Sequence, residues 1–159
     1  MDLDGWLLAL HVLSAFTYVA AIVLFWALVV AVRRADTPEA TIELEPVGKV
    51  GNIAVGIGAT GTIVLGIWLA ISLDEHEVWD FWVIAAIVLW ALSAETGRRT
   101  GVEYTRGLEK AKDLRSSGRT GPNAELLALN RTSGGALLHL ATTILVVLIV
   151  VDMIWKPGA

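Results

Sequence analysis

The stretch Trp6–Val32, WLLALHVLSAFTYVAAIVLFWALVVAV, contains no Asp, Glu, Lys or Arg. A helix needs about 20 apolar residues to cross the ~30 Å hydrocarbon core of a bilayer, so this stretch is long enough to span it. Three further apolar segments follow, and none alternates polar and apolar residues as the strands of a membrane barrel do. The sequence therefore predicts an all-α bundle of four transmembrane helices, which we place at about residues 6–32, 49–72, 78–97 and 135–155.

The composition of the whole chain agrees with this prediction. Its 159 residues are enough for a single integral membrane domain, and the mean hydropathy is +0.66. Charged residues make up 18% of the chain, compared with about 25% in an ordinary soluble protein. The net charge of −4 argues against a nucleic-acid partner, and the lack of Cys excludes disulfides and thiolate metal sites.

The distribution of charge predicts the topology. Eleven of the twelve Lys and Arg residues fall in the loops at 33–50 and 97–134, which a four-helix chain places on one side. Since basic loops stay in the cytoplasm, both termini are expected outside. Five tryptophans lie near the outer boundary, as an interfacial aromatic belt would: Trp6, Trp68, Trp79, Trp82 and Trp155.

The loop at 98–134 is expected to be partly helical. Thr100–Ser117 has mixed charge and a helix-forming composition, so it should continue the third helix into the cytoplasm. After the breakers Gly118 and Pro122, Ala124–Asn130 reads as a short helix that leads into the fourth span.

The chain contains an internal repeat. At an offset of 65 positions, the segments 20–24 and 85–89 are both AAIVL, and Arg33-Arg34 meets Arg98-Arg99. One gap also brings Trp26 onto Trp90. The first and third helices run in the same direction, so we predict a parallel duplication of helices 1–2 as helices 3–4.

Small residues follow one face of the second helix at four-residue spacing: Ala54, Gly58, Thr62, Gly66 and Ala70. Such a stripe lets another helix approach closely. We favour close packing inside the bundle over a seam between copies of the chain.

An outer polar site is predicted around His11. Ser14 and Tyr18 follow it at i+3 and i+7, so the three share a face of the first helix. Asp152, near the outer end of the fourth helix, lies at a similar depth. An ionisable group within a membrane span is by default a functional hypothesis, and the competing interpretation is a neutral histidine bonded to a neighbour.

An inner polar site is predicted from Asn52, Glu95 and His139, which lie at similar depths near the cytoplasmic ends of three helices. A Glu95–His139 pair there would exchange protons with the cytoplasm. The alternative is that Glu95 pairs along its own helix with Arg98 and Arg99.

Two transmembrane histidines suggest a b-type haem with two imidazole ligands. Depth argues against this arrangement, because His11 lies outward of the middle of its helix and His139 inward of the middle of its own. We expect an axial offset of roughly 20 Å between them. A haem held by a single histidine remains an alternative.

The outer loop contains the weak metal-ligand candidates Asp74, His76 and Glu77. Their spacing matches no tight metal motif, and an acidic solvated loop is the simpler interpretation, so we predict no metal site.

Two short motifs carry a family resemblance. The sequence Leu10-His11-Val12-Leu13-Ser14-Ala15 resembles the opening of a broad group of four-helix bacterial membrane proteins, which includes copper-resistance-D-type proteins and four-helix protoporphyrinogen oxidases. The ending at 152–158, DMIWKPG, resembles that of an integral membrane family of unknown function in the same neighbourhood. The resemblance implies a bacterial cytoplasmic (inner) membrane and a haem or porphyrin contact at His11. The oxidase-like members have an intramembrane lysine, which these spans lack.

Several functional classes follow from these features. The first is a homo-oligomeric bundle embedded in the lipid bilayer that acts in transport or in partner binding, with separate outer and inner polar sites. The alternative is a redox protein that binds haem b or a porphyrin through His11. No motif assigns the chain to a class of enzyme.

The topology can be tested by cysteine labelling, since the chain has no Cys of its own. Because Ser117 lies in the basic loop, S117C should react with an impermeant thiol reagent only after the membrane is permeabilised. E75C should react in intact cells. The reverse pattern would contradict the predicted orientation.

Overall fold

The computed structural model describes residues 3–72 and 79–157, and all regular secondary structure in these ranges is helical. Four helices, α1, α3, α4 and α6, carry segments that are long and apolar enough to cross a membrane. The predicted all-α bundle with four spans is confirmed. In chain order the helices are α1 (Leu3–Arg34), α2 (Pro38–Ile42), α3 (Glu45–Ser72), α4 (Phe81–Ser116), α5 (Ala124–Asn130) and α6 (Ser133–Trp155).

The helical segments beyond the apolar spans begin and end at residues with local capping or turn preferences. As predicted, α4 continues well beyond its apolar part and ends at Ser116, just before Gly118, whose φ of 72° suits glycine. Asn123 caps α5 by accepting a hydrogen bond from the Leu126 backbone N–H at 3.0 Å. The predicted helix at Ala124–Asn130 is confirmed.

The short helix α2 was not expected from the sequence. Thr37 caps it by accepting a hydrogen bond from the Ala40 N–H at 3.3 Å, and Pro38 occupies the first turn. Thr followed by Pro is a recognisable helix start, but the five residues of α2 are too few for any periodicity to show.

The four spans form two helical hairpins, α1 with α3 and α4 with α6, and each hairpin packs more extensively within itself than against the other. In the first hairpin, the polar face of α1 lies against glycines of α3. A Cβ added to Gly58 would lie 2.5 Å from the Tyr18 backbone nitrogen, and one added to Gly66 would lie 2.9 Å from the His11 ring. A Cβ on Gly61 would meet Ser14 in the same way.

The predicted stripe of small residues therefore packs inside the chain. Gly58, Thr62 and Ala70 are buried, while Ala54 and Gly66 are partly exposed. This outcome agrees with the interpretation as internal packing. Gly58 and Gly66 meet α1, and Ala70 packs with Trp82 and Val83 at the start of α4.

Outside the membrane, the two basic loops fold together. Ala111 and Leu114 of α4 and Leu126 of α5 are fully buried, and Ile42 of α2 packs against them. Glu45, at the start of α3, pairs with Lys112 of α4 at 2.9 Å and with Lys49 at 3.1 Å. These two ammonium groups lower the pKa of the Glu45 carboxyl.

The glycine contact between α1 and α3 can be tested by substitution. Because a side chain at position 58 would collide with backbone rather than with a flexible side chain, Gly58→Leu should destabilise the protein by at least the ~1–3 kcal/mol typical of overpacking. The measurement is the thermal melting temperature in detergent. The control is Gly101→Leu, where no other atom lies within 4 Å of an added Cβ. Equal melting temperatures for the two variants would contradict this packing.

Candidate functional site

Hydrogen bonds from buried and half-buried polar side chains join α1 to α6 inside the bundle. The Trp26 indole N–H donates to Thr143 Oγ1 at 2.9 Å, and His139 Nε2 lies 3.2 Å from the carbonyl oxygen of Ile22. His139 is only 2% exposed and packs edge-on against the rings of Trp26 and Phe25, with ring centroids 4.7 and 6.2 Å away. His139 is therefore a link between the hairpins.

Two more hydrogen bonds join the first hairpin to α4. The Tyr18 hydroxyl and Ser93 Oγ lie 3.1 Å apart, and both residues are buried. The indole N–H of Trp90 donates to the carbonyl oxygen of Ala59 at 3.0 Å. Together with the two bonds between α1 and α6, they make four hydrogen bonds between the hairpins within the described spans. The hairpins otherwise pack against each other much less than their own helices do.

The two tryptophans are arranged reciprocally. Trp26 on α1 donates to α6, and Trp90 on α4 donates to α3. They are the residues that the internal repeat aligns with each other, and each reaches the second helix of the opposite hairpin.

The predicted inner site is not assembled. Among the described residues, Glu95 accepts hydrogen bonds from Arg98 at 2.8 and 2.9 Å and from Arg99 at 2.7 Å, as in the alternative interpretation. Asn52 is exposed on the surface of α3, and His139 bonds to a backbone carbonyl. No hydrogen bond joins Asn52, Glu95 and His139 to one another among the described residues.

Most of the predicted outer set lies on one face, as expected. His11, Ser14 and Tyr18 all face α3. Within α1, Ser14 Oγ also donates a hydrogen bond to the Leu10 carbonyl at 2.8 Å. Asp152 of α6 is 8% exposed, and no hydrogen bond joins it to the other three within the described ranges. One carboxyl oxygen, Asp152 Oδ2, is buried without a partner there.

The positions of the two histidines agree with the predicted offset. His11 meets α3 at Gly66, whereas the His139 ring meets α1 at Ile22 and Trp26. At ~1.5 Å per residue, the distance along α1 from His11 to Ile22 is about 16 Å. The two imidazoles cannot ligate one iron in this arrangement.

The surroundings of His11 also do not fit a haem ligand. Its Nδ1 is buried without a partner, but a Cβ on Gly66 would lie only 3.2 Å from that atom. The ring is also within hydrogen-bonding reach of the Thr62 backbone. The helices would have to separate before an iron could reach Nδ1.

The candidate metal ligands Asp74, His76 and Glu77 lie outside the described residues. Within the described ranges, no cluster of three or more His, Cys, Asp or Glu side chains has the geometry to hold a metal ion.

A cavity that the sequence did not predict lies just beyond the apolar spans, and its surface is mostly apolar with a few polar groups. Asn130, 7% exposed, anchors it: its Nδ2 donates to the Ala35 carbonyl at 3.1 Å and to Thr41 Oγ1 at 3.0 Å. Asn130 Oδ1 is buried without a partner among the described residues, beside Gly107. The lining comprises Val29, Val32, Arg33, Thr100, Glu103, Tyr104, Gly107, Leu129, Asn130, Thr132, Gly135 and Ala136.

Tyr104 contributes a second unsatisfied polar atom. Its hydroxyl is buried and has no partner in the described part of the chain. Burial, reinforced by the nearby Glu45 carboxylate, raises the pKa of the Tyr104 hydroxyl to about 12. The mixed-charge sequence around Tyr104 gives no sign that this side chain is buried. Its burial arises from contact with Gly48 of α3, which is distant in sequence.

No protein-family model, curated protein or solved structure matches the chain. The four helices that are long and apolar enough to cross a membrane define the class of a multi-pass integral membrane protein. Its function is inferred from the arrangement of its own residues.

The Tyr104 environment can be tested by pH titration. An ordinary tyrosine ionises near pH ~10, so in the folded protein Tyr104 should stay neutral until pH about 12. The unfolded chain loses this proton earlier, so stability should fall as the pH rises through that window. The measurement is the tyrosinate absorbance of the wild type minus that of Tyr104→Phe. A difference that titrates at the ordinary value would contradict the burial.

Proposed function

We propose that the protein is a partner-binding membrane bundle that functions as a homo-oligomer, and that the outward face of α3 is the contact between copies. One observation carries the proposal. Asn52, Gly56 and Thr60, at four-residue spacing, are all exposed on α3. No other atom lies within 4 Å of an added Cβ on Gly56. This outward face is distinct from the stripe that packs on α1.

The chemistry of this face favours a second helix as its neighbour. Thr60 lies near the middle of the span and Asn52 about a turn inside its cytoplasmic end, so their polar groups face hydrocarbon or its boundary. An amide both donates and accepts hydrogen bonds, so Asn52 can pair with Asn52 of another copy. Gly56 between them allows the two backbones to approach closely.

The interior of the bundle favours partner binding over transport through one protomer. Polar groups in the middle of the bundle are engaged in the four hydrogen bonds between hairpins, which a substrate on such a route would have to break. A route between copies is also disfavoured, because the face continues outward as Val64 and Trp68, both apolar and exposed. The polar part therefore covers only the inner half of the span.

Further parts of the proposal follow from the sequence. We place the protein in a bacterial cytoplasmic membrane with both termini outside, and we assign it an outer polar region on the face of His11, Ser14 and Tyr18. The reciprocal bonds of Trp26 and Trp90 support an origin by parallel duplication. They make equivalent contacts from equivalent helices.

The second candidate is a haem or porphyrin protein, as the resemblance at His11 implies. The unpartnered Nδ1 of His11 favours it, and the contact of the ring with α3 at Gly66 opposes it. A Soret band in untreated purified protein that disappears in His11→Ala would establish this function in place of the first.

The contact face can be tested by cross-linking in native membranes, because any disulfide must come from an introduced cysteine. We expect N52C to form a dimer by oxidation, since position 52 meets its counterpart on another copy. The matched control is V88C on α4, where the native side chain is 52% exposed but lies on a different surface.

A mass measurement in detergent completes this test. Gly56→Leu should shift the protein from oligomer to monomer, because a large side chain holds the two α3 helices apart. Equal cross-linking at positions 52 and 88, or a monomeric wild type, would contradict the proposal.

A further inference from the structure

Two arginines are held side by side where α1 and α6 leave the apolar region. Arg33 Nη1 donates to the carbonyl oxygens of Arg131 and Thr132 at 3.0 and 3.3 Å, and Arg131 Nε donates to the carbonyl oxygen of Arg33 at 3.3 Å. These reciprocal bonds use main-chain acceptors. Neither guanidinium is paired with a carboxylate among the described residues, so two positive charges are left uncompensated in one place.

Other arginines of the same surface are neutralised. Arg98 and Arg99 share Glu95, and Arg106 pairs with Glu103 at 2.7 Å. Glu103 also lines the cavity, but its charge is engaged by Arg106. Arg33 and Arg131 differ from these three, because main-chain carbonyls hold both guanidiniums in place without neutralising their charge.

The cavity next to Arg33 suits an uncharged polar group. The cavity volume is about 60 Å³. One water needs roughly 10–15 Å³, so the cavity accommodates several groups of that size. It is lined by the two residues with unpartnered polar atoms, Asn130 Oδ1 and the Tyr104 hydroxyl. The first accepts a hydrogen bond, and the second can donate or accept one.

We propose that this site binds the headgroup of an anionic phospholipid from the cytoplasmic leaflet. The phosphodiester lies on the guanidiniums of Arg33 and Arg131, and hydroxyls of the headgroup enter the cavity beside Asn130 and Tyr104. Planar guanidinium groups match phosphate oxygens in charge and geometry. The recognised chemistry is a phosphorylated polyol, independent of any contact between copies.

The position of the site favours lipid over a soluble phosphate. Arg33 directly follows the apolar run of α1, and Val29, Val32 and Ala136 carry the lining back toward the hydrocarbon. A headgroup at this depth leaves its acyl chains alongside the apolar surfaces of α1 and α6. Basic pockets between helices on the cytoplasmic side are typical sites for anionic headgroups.

Binding can be measured by adding single lipids to the full chain in neutral detergent and following its melting temperature. The probes are dioleoyl phosphatidylglycerol, phosphatidylethanol, which has the same charge but no headgroup hydroxyl, and phosphatidylcholine. We expect apparent affinity for phosphatidylglycerol to exceed that for phosphatidylcholine about tenfold and that for phosphatidylethanol severalfold, as expected for charge-assisted and neutral hydrogen bonds.

Variants separate the two parts of the site. Arg131→Gln, at an exposed side chain, and Arg33→Gln should each remove most of the preference over phosphatidylcholine. Tyr104→Phe should remove only the preference over phosphatidylethanol. The matched control is Arg34→Gln, which alters an exposed neighbouring arginine that takes no part in the Arg33–Arg131 hydrogen bonds.

Three results would overturn the proposal. The first is a wild type with no preference for phosphatidylglycerol, and the second is an equal loss in Arg34→Gln and Arg131→Gln. The third is competition by glycerol phosphate at the same concentration as the lipid, which would assign the site to a soluble ligand. Because Arg131→Gln and the wild-type lipid series suffice, the test holds even if Arg33→Gln fails to fold.

Discussion

Helices in hydrocarbon gain no stability by hiding apolar surface from water, so two hairpins stay together only through close packing and polar bonds. Four hydrogen bonds between buried or half-buried groups of the described spans meet this requirement here. They explain why tryptophan, tyrosine, serine, threonine and histidine occur in the middle of otherwise apolar spans. A donor that faced lipid would lose its partner altogether, so these bonds also fix how each helix is rotated about its axis.

The molecule uses a different interaction at each level. Within the first hairpin, glycines of α3 admit the polar face of α1 at backbone distance. Between the hairpins, indole, hydroxyl and imidazole groups make the contacts. Outside the membrane, water is present, and a small apolar core of Leu114 and Leu126 forms with ion pairs around it. Asn130, at the end of α5, ties the segment before α6 to the segment that follows α1, because its amide donates hydrogen bonds to Ala35 and Thr41.

The sequence predicts the spans because hydropathy and length determine whether a segment crosses a membrane. It also predicts the shared face of His11, Ser14 and Tyr18, because their spacing follows the helical period. It does not predict the partner of His139, since that partner is the backbone carbonyl of Ile22 and carbonyls carry no sequence signal. The direction of Asn52 is likewise hidden, because α3 is apolar on several faces and hydropathy alone does not set its rotation. The cavity at Asn130 depends on contacts with residues about 90 positions away.

The central claim is that polar bonds, rather than apolar contact alone, hold the hairpins together. A double-mutant cycle on Trp26→Phe and Thr143→Val tests it most directly, because phenylalanine keeps an aromatic ring beside His139 but has no N–H, and the cycle cancels the loss of ring size. Unfolding free energies measured in lipid bicelles should show a favourable coupling of about 0.6–1.7 kcal/mol, the range found for interhelical hydrogen bonds in membranes. Additive effects of the two substitutions would contradict the claim.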